Sequence, residues 1–166
     1  MPAQWAFGGH LWRNENESQA QFEGDLEAIR QHDLPLSVMW IDRPWQSNYN
    51  SFEMTSQKFP EPSELVAKMR ASGFRLAFWS SPYIHKDFAE MYDQFEAAKG
   101  FVGVPGGQWF EKFGKLVDLT NPKAIDLFSA LIDNAIELGA EGFKLDYAED
   151  IQAGAVGTNL SFSFHN

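Results

Sequence analysis

The sequence contains no cysteine, which excludes disulfide bonds and thiolate chemistry as a basis for stability or activity. Positive charge is scarce: 13 Lys and Arg stand against 23 Asp and Glu, a formal net charge of −10. Nucleic acids and anionic membranes are bound through basic patches that release counterions, so neither nucleic acid nor membrane is an expected partner. No apolar run approaches the roughly eighteen residues of a spanning helix. The opening residues MPAQWAFGGHLWR also lack the basic-then-apolar layout of a secretory signal. There is no phosphate-binding loop, because FGGH at 7–10 lacks the spacing and the following lysine, and PGGQ at 105–108 is not framed by a strand and a helix. His10, His32, His85 and His165 show no metal-ligand spacing. No metal and no cofactor are expected.

What the chain does have is an ordinary globular balance, 44% hydrophobic and 22% charged, over 166 residues, the size of one domain. Aromatic residues make up 15%, including six Trp and fifteen Phe. That share implies bulky packing or a surface that stacks flat faces on a ligand.

Four short apolar runs recur: WAFGGHL (5–11), LSVMWID (36–42), FRLAFWS (74–80) and GFKLD (142–146). Near-continuous apolar character suits strands covered on both faces. Between the first two, Phe22, Leu26 and Ile29 recur at helical spacing within 18–31. Pro62 opens a second helix with Leu65, Val66 and Met69 on one stripe and Gly73 at its end; Asn121 and Pro122 open a third that runs to Gly139. Alternation of strand and helix predicts parallel strands joined by right-handed crossovers. The connection over 81–119 is too long for a turn and predicts a short helix followed by a small hairpin or lid, with Gly106 and Gly107 at its tip.

Parallel α/β sheets bind ligands at the C-terminal ends of their strands. Those ends read WIDRPW, FWSSPY and KLDYAED, and the first strand runs toward Trp12 and Arg13. Aromatic walls with polar groups at the rim suit a carbohydrate, whose ring offers hydroxyls at its edge and an apolar C–H face. In such a cup Asp42 accepts from neighbouring hydroxyls, Trp79 packs on the ring, and Asp146 is the reactive carboxylate. Lys144, two positions earlier on the same side of a strand, keeps Asp146 ionised, as a nucleophile or base requires. The same spacing also suits a structural ion pair between Lys144 and Asp146. Asp42 before Arg43 and Pro44 suits a turn cap, Trp40 and Trp79 suit core positions, and Asp118 suits a stabiliser of the loop before the third helix.

The series WAFGGHLWR, LPLSVMWID, FPEPSELVAKMRASGFRLAFWSSPYI, VDLTNP and GFKLDYAED resembles glycoside hydrolase family 31, the α-glucosidase and α-xylosidase group of retaining enzymes, in order and over nearly the whole chain. It is most similar to the bacterial branch typified by α-xylosidases. The resemblance implies an α/β fold, a parallel (β/α) barrel of TIM type, of which about the first four β/α units are present. Residues 1–166 would then be a partial (β/α)8 catalytic domain, with the insertion or lid at about 81–119. It further implies that Asp146 is the catalytic nucleophile, that Asp42, Trp79 and Lys144 bind substrate, and that Glu149 supports them. Ala148 stands where the family more often has glycine, and Arg43 with Pro44 departs from the Asp-Ile-Asp pattern of many family α-glucosidases.

In this family the general acid/base lies on a later strand, so the chain resembles a piece of a larger gene product, inactive alone. The implied partner is an α-glycoside. Exposed sheet edges of a half-barrel would favour self-association. Two other readings fit some of the residues: a non-catalytic carbohydrate-binding or pseudoenzyme half-barrel, and an aldolase-like enzyme with a Schiff base on Lys144.

Overall fold

In a computed structural model the protein is described over residues 1–103, 114–147 and 157. A 3-10 turn (Gln4–Phe7) is followed in chain order by β1 (Gly9–Arg13), α1 (Gln19–Gln31), β2 (Leu36–Ile41), α2 (Pro62–Ala71) and β3 (Arg75–Ser80). After these come β4 (Tyr83–Ile84), α3 (Ala89–Ala97), β5 (Lys115–Leu116), α4 (Pro122–Leu138) and β6 (Gly142–Leu145). The chain divides into two compact units. One comprises Met1–Ser47, Glu53–Ser80 and Ala135–Lys144; the other comprises Asn48–Phe52, Ser81–Asn134 and Leu145–Asn166.

The first unit is built on a sheet of strand order β1-β2-β3-β6, with β1, β2 and β3 paired in parallel. It is the expected parallel arrangement of successive β/α strands, in an open sheet. Side chains alternate along it. Met39 and Ile41 of β2 and Leu76 and Phe78 of β3 are fully buried, as are Phe22, Leu26 and Ile29 of α1 and Leu65, Val66 and Met69 of α2. The intervening strand positions hold His10, Trp12, Trp40 and Lys144. Trp45, buried, stacks on Phe78 at 3.9 Å between centroids.

Local chemistry sets the helix ends. The Ser18 hydroxyl accepts the Gln21 N–H at 3.2 Å and caps α1. Gly73, at φ +77°, closes α2 while the Phe74 N–H reaches back to the Met69 carbonyl at 3.0 Å. The Lys68 ammonium joins α2 to α1 by bonding Glu23 at 2.7 Å and Glu27 at 3.2 Å. Lys68 first, then the Gln19 amide, holds the Glu23 carboxyl below its usual range. The stability from this lowered carboxyl is present above the ordinary Glu range and is lost as pH falls through the lowered value. Glu23→Gln is therefore expected to flatten the acid limb of a melting-temperature profile, lowering the melting temperature modestly at neutral pH and leaving it unchanged at low pH.

The first strand differs from its expected place over 5–11. It begins at Gly9 and continues to Arg13, after the 3-10 turn. The cause is a close approach of backbones: a Cβ at Gly9 would lie 2.4 Å from the Pro35 carbonyl oxygen, and the register with β2 shifts between Gly9 and His10. The other three strands start or end within a residue of expectation.

In the second unit β4 and β5 pair antiparallel, with Tyr83 opposite Leu116. The expected short helix within 81–119 is α3, whose buried Phe95 packs on Phe101 at 5.5 Å. Asn121 accepts the Lys123 N–H at 3.0 Å and so caps α4, while its amide donates to the carbonyls of Ala98 and Lys99 just after α3. Asp118 accepts from the Thr120 N–H and hydroxyl, as a loop stabiliser would. A second asparagine, Asn50, is fully buried at φ +57°. It accepts the Ser81 N–H at 3.1 Å and donates to the Ser81 hydroxyl at 3.0 Å and to the Tyr83 carbonyl, which clamps the corner before β4. The hairpin tip at Gly106 and Gly107 lies outside the described residues, as do Ala148, Glu149 and Asp150.

Candidate active site

Asp42 follows β2 directly and its carboxylate is 2% exposed. A charge so buried persists only when opposite charge and hydrogen bonds replace its water. Three donors do so here. The Trp12 indole N–H reaches Oδ2 from the adjacent strand at 2.5 Å, the Lys144 ammonium reaches the same oxygen from β6 at 3.0 Å, and the Arg43 N–H bonds Oδ1 at 2.8 Å. The Lys144 Nζ also lies 5.1 Å from the centroid of the Trp12 ring, so carboxylate and π-face fix the ammonium together. Both readings of Asp42 therefore meet in one residue: Oδ1 caps the turn into Arg43, and Oδ2 anchors a cationic and aromatic cluster.

A second layer lies one step down the same strands. Trp40, in register with Trp12, donates its indole N–H to His10 Nδ1 at 2.8 Å. An acceptor Nδ1 puts the imidazole proton on Nε2, which donates to the Ala6 carbonyl at 3.2 Å. Trp12, 51% exposed, is the more open of these indoles.

Trp79 is the residue that the sequence reading places on a sugar ring or, alternatively, in the core. It is 1% exposed, and its carbonyl accepts the Trp45 indole N–H at 2.8 Å. Its ring is buried within the first unit.

Asp146 belongs to the second unit. Its Oδ1 accepts the N–H of Tyr147 at 3.2 Å, and Tyr147 adopts φ +66°, a left-handed conformation uncommon for an aromatic residue. The Tyr147 carbonyl in turn accepts the Tyr83 hydroxyl at 3.1 Å.

Sequence reasoning set Lys144 against Asp146 and missed its bond to Asp42, and it passed over Trp12 as a donor. A signal for the Lys144–Asp42 bond was present. In a parallel barrel, alternate strands feed the same layer of interior side chains, so groups at the second and fourth strands are natural neighbours. Among the described residues no group of three or more His, Asp or Glu could hold a metal ion, and no helix is long and apolar enough to cross a membrane.

Residues 1–163 match the family model for the glycosyl hydrolases family 31 TIM-barrel domain. An α-xylosidase of Emericella nidulans is 29% identical over 165 residues, spanning 91% of this chain and 20% of that protein. The α-xylosidase XylQ of Lactiplantibacillus pentosus is 27% identical over 92% of this chain and 21% of its own length. The chain thus spans about a fifth of the curated relatives it matches. Among solved structures, a family 31 dextranase of Flavobacterium johnsoniae complexed with glucose superposes with a TM-score of 0.81 at 22% identity, over 90% of this chain and 19% of that one. A soil-metagenome α-xylosidase complexed with xylose gives 0.81 at 20% identity, over 90% and 23%. Those likenesses show the fold, an α/β barrel of TIM type of which four parallel strands are present here in an unclosed sheet. With the family model matched from end to end of that sheet, the chain belongs to glycoside hydrolase family 31.

Proposed function

We propose that this chain supplies the nucleophile and part of the sugar-binding wall of a retaining α-glycoside hydrolase. The observation that carries the reading is the buried Asp42 carboxylate, ion-paired to Lys144 and bonded by the Trp12 indole where the strands end, with Asp146 two residues beyond Lys144. The α-xylosidases among the relatives support an α-linked glycoside as substrate.

In this mechanism the Asp146 carboxylate attacks the anomeric carbon as the bond to the leaving oxygen breaks. A second carboxyl group, roughly 5 Å away, protonates that oxygen. Water then attacks the glycosyl-Asp146 ester, its proton passing to the second carboxylate, and two inversions give net retention. The second group is assigned to residues outside this chain. Asp42 accepts hydroxyls of the sugar, Lys144 holds Asp42 and its surroundings in place, and no cofactor takes part in either displacement.

A 5-fluoro α-glycosyl fluoride tests this in the full-length protein, because the fluorine slows hydrolysis of the glycosyl-enzyme and lets it accumulate. Peptide mass mapping is expected to find one glycosyl adduct on the peptide containing Asp146, and none in Asp146→Asn. An adduct on another carboxylate would overturn the assignment. Saturable sugar binding without adduct or turnover would transfer the chain to the non-catalytic carbohydrate-binding class.

A further inference from the structure

We infer that Tyr83 is a positioning residue for Asp146, acting through the Tyr147 backbone; the inference rests on the reading of Asp146 as the nucleophile. Four hydrogen-bonded groups form one continuous chain within the second unit. Asn50, fully buried, holds both the Ser81 N–H and the Tyr83 carbonyl. Tyr83, 2% exposed and paired with Leu116, presents its hydroxyl to the Tyr147 carbonyl at 3.1 Å. Tyr147 then directs its own N–H to Asp146 Oδ1 at 3.2 Å.

The backbone at Tyr147 explains why such an anchor is needed. At φ +66° a residue with a Cβ is strained, and a strained residue keeps its conformation only where its surroundings over-determine it. The Tyr83 hydroxyl pins the carbonyl side of that residue. The amide on its other side is thereby aimed at the carboxylate, and an N–H donated to Oδ1 fixes the direction of the remaining lone pairs. Asn50, itself left-handed at φ +57°, keeps the tyrosine from shifting along its strand. In this arrangement Tyr83 acts through the Tyr147 backbone. It sets the angle at which Asp146 meets an anomeric carbon.

Tyr83→Phe removes one oxygen and keeps the buried ring, so the fold and its melting temperature should be nearly unchanged. The experiment measures the rate of Asp146 adduct formation by the 5-fluoro glycosyl fluoride, and the inhibition constant of the free sugar, in the full-length wild-type and Tyr83→Phe proteins. The expected result is labelling slowed by about 10- to 100-fold, the range for a small misalignment of a reacting group, with the inhibition constant unchanged. Labelling of Asp146 at the wild-type rate in Tyr83→Phe would overturn the positioning role and leave the nucleophile intact. Equal losses in labelling and sugar binding would also overturn it, because they would mark a general structural defect. If wild-type protein carries its adduct elsewhere than on Asp146, the underlying assignment fails first and the inference with it.

Discussion

Asp146→Ala in the full-length protein is expected to lower kcat for an aryl α-glycoside by about 10⁴-fold or more, the scale seen when a nucleophile is deleted from a catalytic unit. The loss should fall on kcat, because the attacking carboxylate acts mainly in the transition state, while Asp42 and the aromatic wall still hold the sugar. The truncation also opens space on the face of the ring opposite the leaving group. A small anion such as azide can enter there and attack the anomeric carbon directly. Such rescue should give a glycosyl azide of inverted configuration, identified by NMR. Rescue with retained configuration would place the nucleophile elsewhere.

The second large effect concerns the Asp42–Lys144 pair, and its two halves should respond differently. Lys144→Met keeps the bulk of the side chain but leaves a carboxylate of 2% exposure with only two N–H donors. Removing one partner of a buried pair costs about 3–5 kcal/mol, most of it the penalty on the charge left behind. In Asp42→Asn the group that loses its carboxylate is Lys144, whose side chain is 32% exposed and can turn to water. That change should cost about 1–3 kcal/mol, the scale of a disturbed buried hydrogen-bond site. Activity should follow the opposite order, because a neutral amide at position 42 cannot grip two hydroxyls as a carboxylate does. Denaturant unfolding and steady-state kinetics on both variants would measure the crossover. Equal stability losses would mean that the buried carboxylate does not depend on its cation.

How far the sequence reveals this site depends on distance along the chain. Helix ends were legible because their signals are local: Asn121 is two residues from the amide it caps, and Gly73 takes the left-handed conformation that glycine tolerates. Strands β2, β3 and β6 were legible as apolar runs. The start of β1 was not, because it depends on how closely Gly9 meets Pro35, a neighbour brought near only by sheet pairing. The candidate site was legible in its residue types and less so in its partners. Asp42 and Lys144 are 102 positions apart, and Tyr83 and Tyr147 are 64 apart, so no local pattern couples either pair. Trp79 shows a further ambiguity: a tryptophan on a buried strand reads the same in sequence whether it packs or binds, and its 1% exposure is displayed only by the folded chain.

The alternation along the sheet also has a meaning for how such a protein can change. On one side Met39, Ile41, Leu76 and Phe78 answer only to packing, and a substitution there opens a cavity without altering what a ligand meets. On the other side His10, Trp12 and Trp40 are exposed or half-buried, and a substitution at these three positions changes a surface without opening the packed layer. Because neighbours in sequence point to opposite sides, two adjacent codons can be under unrelated selection. Substitutions at positions 10, 12 and 40 can then accumulate independently of the packed layer behind them.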